Sequence, residues 1–502
     1  MKRAMTLGSL MLAIIIFFIF FGGLVACGVE NEATQANNFI ELFDGRSLNG
    51  WKASENAQAW RVENGCLVAD GKRSHLFYVG PVGNHNFKNF ELEAEVLTQH
   101  LTDSGIYFHT AYQETGWPGR GYEVQINNTH NGIDGRLELK RTGSLYGVRN
   151  NYQKWLEDGR WFHVSISVIG KRIRVWVNGY PVVDYLESAK APRAPGQSQR
   201  RLSRGTIALQ GHDPDSCVAY RNVKIRLLPD DADSALPTRA STEGYGIDSA
   251  LLDKINADSI PVIDYHIHLR GGMTLKKAME RQAMLGINSG VLKNIGSGWP
   301  IETDAQLCEH LDSVVGKPVF VGVQVNDRDW MEKHSPELLK RLDFVLADTM
   351  IMPMPNDDSK PVKLWQTDKY TISDAKAWMK RYMRHNLRVL AEPITILANP
   401  TYLPAALADK YDQLWTDDRM KTIIQAAIDN NVALEINASS GLPSDRFVRL
   451  AKKMGAKFCF GSNNFDDKPI NMKRCLEVIE RFGLTKEDIY VAGPKPRDSE
   501  EK

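Results

Sequence analysis

The sequence has no excess charge of either sign. Its 62 Lys and Arg stand against 61 Asp and Glu, a formal net charge of +1. Such a chain has no global field for holding a polyanion, so nucleic acid is not an expected partner. Cysteine is scarce as well, with six in 502 residues and no CxxC pair or metal-ligand spacing. Apart from Cys27 these are Cys66, Cys217, Cys308, Cys459 and Cys475, an odd number that cannot all pair. Most sit in or beside apolar runs, where a free thiol packs as a small apolar group, and no essential disulfide is expected. No nucleotide cofactor is expected either. What is present is ordinary for globular protein, 43% hydrophobic and 25% charged residues, in a chain too long for one average domain.

The N-terminus carries its own signal. Lys2 and Arg3 precede an uncharged apolar run over residues 7–25, which ends in Leu24, Val25, Ala26 and Cys27 and is followed at once by polar sequence. Small residues directly before a cysteine resemble the lipobox of bacterial lipoproteins. That resemblance implies a signal peptide over residues 1–26, acylation of Cys27, and an exported protein held on a membrane by several acyl chains. An uncleaved signal anchor with a chance cysteine is the alternative.

Two periodicities divide the rest. Residues 90–96 alternate apolar and acidic side chains, residues 161–168 repeat the alternation, and residues 173–177 lead through Asn178-Gly179 into a further apolar stretch. Alternation is the mark of strands with one buried face, and Asn-Gly between two such runs predicts a hairpin. Residues 39–228 are therefore expected to form an antiparallel β-sandwich of the concanavalin-like jelly-roll kind. Residues 189–204, rich in Pro, Arg, Ser and Gln, read as a surface loop whose basic charge is solvated. Residues 229–246 read as a linker. Beyond it, over residues 258–493, apolar runs at 262–268, 290–294, 319–325, 344–348, 394–399, 432–437 and 457–463 are separated by helix-like stretches such as 274–285, 373–390 and 417–430. About seven β/α units predict an α/β barrel, with an open doubly wound sheet as the alternative.

Several segments of the first half resemble the 3-keto-disaccharide hydrolase family, also described as 3-keto-glucoside lyase and hydratase domains. They are residues 39–51 (FIELFDGRSLNGW), 60–65 (WRVENG), 103–108 (DSGIYF), 121–126 (GYEVQI), 142–146 (TGSLY), 209–212 (LQGH) and 220–223 (YRNV). If Val124 and Ile126 face the core, Glu123 and Gln125 face outward together, and Tyr107 and His109 oppose Ile106 and Phe108 in the same way. His212 and Arg221 flank a turn. Such a face suits a sugar, with Trp117, Tyr122 and Tyr146 as aromatic platforms.

The resemblance implies a 3-keto-disaccharide or related ketoglycoside as substrate. A ketone at C3 acidifies the C2 proton, a base removes it, the enolate expels the C1 glycosidic oxygen, and water adds to the resulting glycal. That chemistry needs a base and a partner for the enolate oxygen. Glu123 or His212 is the expected base and Arg221 the expected partner, with Tyr107, His109, Tyr122, Gln125 and Tyr146 contacting substrate. A divalent cation (Mn, Zn or Ca) would serve instead of the arginine, with His109, His212 and Glu123 as candidate ligands. An ordinary glycosidase, for which no carboxylate partner to Glu123 is evident, and a non-catalytic carbohydrate-binding module are the alternatives.

In the second half, Asp264-Tyr265-His266-Ile267-His268 ends the first expected barrel strand, so its two imidazoles project together at the mouth. This resembles the first motif of polymerase and histidinol phosphatase (PHP) barrels, and amidohydrolases begin similarly. Later strand ends carry Asn294, Gln324, Asn326, Asn399, Asn437, Asn463 and Asn464, and at several of these places, near Gln324, Asn399 and Asn463, the resemblance implies His, Glu or Asp in metal-bearing PHP barrels. Amides are poor ligands for zinc or manganese, so a multinuclear centre is not expected. His266, His268, Asp348 and Glu435 would hold at most one metal ion, and a purely structural or ligand-binding mouth is the alternative.

Overall fold

The computed structural model describes residues 38–132, 138–232, 242–354 and 357–493. The apolar leader, Cys27 and much of the expected linker lie outside the described residues. Among the described residues no helix is long and apolar enough to cross a membrane.

The first half is an antiparallel sandwich. One sheet holds eight strands, with Phe90–Thr98 and Cys217–Leu227 near its centre and Tyr180–Leu186 at one edge. The other holds five, in the order Trp51–Ala53, Ser74–Tyr78, Thr206–Gly211, Asp103–Thr110 and Tyr122–Asn127. The expected alternation is visible directly: from Phe90 to Thr98 every second side chain is buried. The hairpin forms where Asn-Gly stands, with Asn178 at φ 49° and Gly179 at φ 77° joining Arg172–Val177 to Tyr180–Leu186.

The second half contains a closed barrel of seven parallel strands: Ile263–His268, Asn288–Ile295, Phe320–Val325, Phe344–Ala347, Ile396–Leu397, Ala433–Asn437 and Phe458–Gly461. The outward side chains of these strands, Val291, Val323 and Ile436 among them, share one large apolar core with helices Leu275–Leu285, Ala375–Leu390 and Asp417–Asp429. The described cysteines are free thiols, and Cys66, Cys459 and Cys475 are buried.

Residues 149–153 of the sandwich close the N-terminal end of the barrel. Tyr152 packs with Ile263, Tyr265, Phe320 and Phe344 at the strand starts. Asn288 accepts from the Tyr152 N–H at 2.9 Å and donates to the Asn150 carbonyl at 2.8 Å. Arg149 Nη1 meets Asp253 Oδ1 at 2.5 Å, with both side chains buried. The C-terminal mouth of the barrel therefore lies at the end away from these contacts.

Candidate functional site

Strand parity sets the first site. Ile106, Val124, Ile126 and Leu209 point into the sandwich core, so Asp103, Tyr107, Glu123, Gln125 and Gln210 share the opposite face of the five-stranded sheet. Loops cover that face, and Glu123 is only 4% exposed. Glu123 Oε2 accepts from Arg200 Nη2 at 3.1 Å and Oε1 accepts from Gln210 Nε2 at 3.1 Å. Gln210 also donates to the Tyr107 hydroxyl at 3.0 Å. The carboxylate fits because its neighbour on the adjacent strand is Gly105, where a Cβ would stand 2.7 Å from Glu123 Oε1.

A second group adjoins the first. Asp103 accepts from Gln125 Nε2 through Oδ1, while Oδ2 lies 3.6 Å from His130 Nδ1 and 3.7 Å from His212 Nε2. Burial pushes the Asp103 carboxyl up to about 7, against the opposing charge of His212 and with help from Glu138, Glu123 and Asp213. His212 Nδ1 is held by Asp213 Oδ2 at 2.6 Å, which leaves Nε2 facing the site. Burial works against protonation of His212, but the Asp213 hydrogen bond and the charges on Asp103, Asp213 and Glu123 outweigh it and raise its pKa above the ordinary 6.5. Trp117, 44% exposed, lies over His212 with ring centroids 4.9 Å apart. Tyr146 stands at the edge, its hydroxyl donating to Glu138 at 2.9 Å and its ring 5.6 Å from the Arg200 guanidinium.

Three expected side chains are elsewhere. Arg221 lies on the outer face of the eight-stranded sheet, bound to Glu95 at 2.6 Å and stacked 3.9 Å from Trp161, because Tyr220 beside it takes the core-facing position. His109 falls on the interior side. The pairing of Thr206–Gly211 with Asp103–Thr110 carries one extra residue on the latter strand, and His109 takes φ 54° there, which breaks the alternation after Tyr107. Its ring packs against Phe90 and Phe108 and bonds to the Lys88 carbonyl at 2.8 Å. Tyr122 shares parity with Val124, stacks on Phe108 in the core, and accepts from Arg193 at 2.6 Å.

The structure adds four residues to the site: Asp103, His130, Arg200 and Gln210. Asp103 and Gln210 follow from parity once Tyr107 and Leu209 are placed. Arg200 had no such signal, since residues 189–204 lack any period. Their charge is not simply solvated, because Arg200 is 7% exposed against Glu123 and Arg193 is likewise withdrawn beside Tyr122 and Glu187.

With this geometry in place, comparison with known proteins bears on the sandwich. Residues 38–226 match the 3-keto-alpha-glucoside-1,2-lyase-like domain. A 3-keto-disaccharide hydrolase of Bacteroides thetaiotaomicron is 25% identical to this chain over 237 residues, covering 39% of this chain and 80% of that protein. Two solved structures of candidate glycosyl hydrolases from Parabacteroides distasonis are also similar. One is 23% identical with a TM-score of 0.34, covering 40% of this chain and 99% of its own. The other is 26% identical with a TM-score of 0.31, covering 38% and 100%. Glu123, Asp103 and His212 all fall within the matched residues.

The barrel mouth is the second polar centre. His266 and His268 lie together with ring centroids 5.1 Å apart, both buried. His266 Nδ1 bonds to Glu435 Oε1 at 2.6 Å, and Glu435 Oε2 accepts from the Asn399 N–H at 2.9 Å and Asn437 Nδ2 at 3.0 Å. Asp348 accepts from Gln324 Nε2 at 2.8 Å and from the Met350 N–H at 2.9 Å. Among the described residues no three or more His, Cys, Asp or Glu side chains are gathered so as to hold a metal ion, in this mouth or in the lyase-like domain. At the mouth the reason is that the two carboxylates are engaged as acceptors by His266 and by amides, while the other strand ends present amides. The donor set at the mouth is therefore dominated by amides, which are poor ligands for zinc or manganese.

Proposed function

We propose that the lyase-like domain cleaves 3-keto-glycosides by elimination followed by hydration. The observation that carries this reading is the His212–Asp213 pair, whose Nε2 faces the site 3.7 Å from Asp103 Oδ2, beside the Glu123–Arg200 pair on one covered face. His212 Nε2 takes the C2 proton, and the electron pair moves into the C2–C3 enolate. Arg200 Nη1, a buried donor with no hydrogen-bond partner among the described residues, holds the charge developing on the C3 oxygen. Collapse of the enolate breaks the C1–O bond, and protonated His212 returns a proton to the departing oxygen. Water then adds at C1 of the unsaturated sugar and C2 is reprotonated, which completes a net hydrolysis. Glu123 is a positioning residue in this scheme, since it fixes the Arg200 fork.

The substrate test is direct. Full-length protein is expected to turn over a 3-keto-glucoside and to leave the same unoxidised glucoside untouched, because without the ketone nothing delocalises the charge left at C2. Equal activity on both would move the domain to ordinary glycoside hydrolysis. One observation favours that second reading: Asp103, a carboxyl with its pKa near 7, stands on the same face as Glu123.

The pH profile offers an independent check. His212 must be neutral to act as base, so the rising limb of kcat/KM is expected above pH 6.5, where its raised pKa puts it. Asp213→Asn removes a group that raises that pKa while burial continues to lower it. The limb should then move to lower pH, with a reduced maximum. A limb that stays in place would show that another group is titrating.

The chain is further proposed to be exported and lipidated at Cys27. Cys27→Ser should either leave the leader uncleaved or release the protein from the detergent phase. Processing and partitioning identical to the parent would contradict this.

A further inference from the structure

The mouth of the barrel is lined in a way that the lyase chemistry does not use. All seven strands deliver polar groups there, and most are neutral amides. Asn294 Nδ2 bridges Gln324 Oε1 at 3.1 Å and Asn326 Oδ1 at 2.9 Å, and Asn399 Oδ1 accepts from Ser440 Oγ at 3.0 Å. Two buried imidazole nitrogens in this cup, His266 Nε2 and His268 Nδ1, have no hydrogen-bond partner among the described residues. Orphaned polar atoms cost free energy when nothing meets them, and a structure that keeps two side by side has a reason to do so.

Inside the cup the charges argue against an anion, the cations Arg270 and Lys363 standing at its rim. Asp348 and Glu435 are carboxylates at the strand ends, and Arg328 is paired to Glu392 at 3.2 Å. Aromatic rings rim the same end. Phe465, on the segment after the seventh strand, is 71% exposed with Arg270 stacked 4.8 Å from it. Trp299 and the exposed Trp365 follow the second and fourth strands, with Lys363 Nζ 4.6 and 6.0 Å from their rings. Amides and imidazoles offer donors and acceptors in the mixture that hydroxyl groups present, and exposed aromatic faces stack on the apolar face of a pyranose ring.

We infer that the barrel mouth is a second carbohydrate site, binding an uncharged polyhydroxylated ligand without a metal ion. It lies at the opposite end of the barrel from the sandwich contacts, so the two sites act on separate surfaces of one chain.

The test uses the full chain carrying Glu123→Ala, which disables the sandwich face, titrated with methyl α-D-glucoside and with D-glucose by ligand-detected NMR. Saturable binding of at least one is expected, weakened about tenfold or more by Gln324→Ala, since loss of that amide removes one hydrogen bond from each of Asn294 and Asp348. Because Gln324→Ala also alters the hydrogen bonds of the mouth itself, Phe465→Ala is measured beside it. That exposed ring should weaken binding severalfold with no change in Tm. Absence of saturable binding by either sugar overturns the inference, as does binding that both variants leave unchanged. Stoichiometric uptake of zinc from zinc chloride, lost in His266→Ala, or competition for the mouth by inorganic phosphate, would also overturn it.

Discussion

Replacing His212 by alanine is expected to lower turnover of a 3-keto-glucoside by about 10²–10⁴-fold, the usual worth of a positioned general base. The loss should fall on kcat more than on KM, because the proton moves only in the transition state. The geometry makes the expectation specific to this imidazole. Its Nδ1 is committed to Asp213 at 2.6 Å, so only Nε2 can face a substrate. The other candidate imidazoles on this face are poorer. His75 is driven down to about 3 by burial, and burial lowers His130 as well. His109 lies on the interior side against Phe90 and Phe108. The variant should keep its fold, since His212 is partly exposed and packs mainly against Trp117. A loss under about threefold would remove His212 from the reaction and leave Asp103 or Glu123 as the base.

The second large effect concerns the contact between the halves. Asp253→Ala is expected to destabilise the full chain by about 3–5 kcal/mol, because it strands a buried guanidinium rather than merely deleting an attraction. Arg149 retains a bond to the Val148 carbonyl at 2.6 Å and lies 4.6 Å from the Tyr185 ring, which favours the lower part of that range. Thermal and denaturant unfolding of the full chain measures it. A double variant, Arg149→Met with Asp253→Leu, should recover much of the loss, since an apolar pair avoids the desolvation of both ions. If the single variant melts with the parent, residues 149–153 are not anchored as described. The single variant should also slow catalysis. The Leu145 N–H donates to the Arg149 carbonyl at 2.9 Å, and the Tyr146 N–H donates to the Glu123 carbonyl at 2.9 Å. The barrel contact and the sandwich face thus share one short stretch of chain.

These two cases show what was legible in the sequence and what was not. Periodicity alone located strands and helices in both halves, because alternation in the sandwich and alternating apolar and amphipathic runs in the barrel each follow from burial on one side. Parity also placed Glu123, Gln125 and Tyr107 together. The same parity spoke against Tyr122, which shares its side of the strand with Val124 and Ile126; its aromatic character suggested a platform, and the core claimed it. His109 was not legible, since a bulge with a positive φ at a non-glycine residue leaves no pattern. Arg221 lies only nine residues from His212, but Tyr220 between them points into the core and turns the arginine outward from the other sheet. Arg200 was hidden for the opposite reason. It comes from a loop without periodicity, and only the folded chain brings it to Glu123. At the barrel mouth the sequence displayed the substitution of amides for acids, but not the pairing of His266 with Glu435, which depends on the first and sixth strands flanking the seventh, where Gly461 leaves room between them.

The central claim is that the C2 proton leaves before the glycosidic bond breaks. It is tested most directly with a 3-keto-glucoside carrying deuterium at C2, turned over by the full-length protein in ordinary water. Elimination and hydration predict that the sugar product has lost its label, through exchange at His212 and reprotonation from solvent, and that the labelled substrate reacts more slowly. A product that keeps its deuterium, formed at the same rate as from unlabelled substrate, would contradict the account and place the reaction at C1 alone.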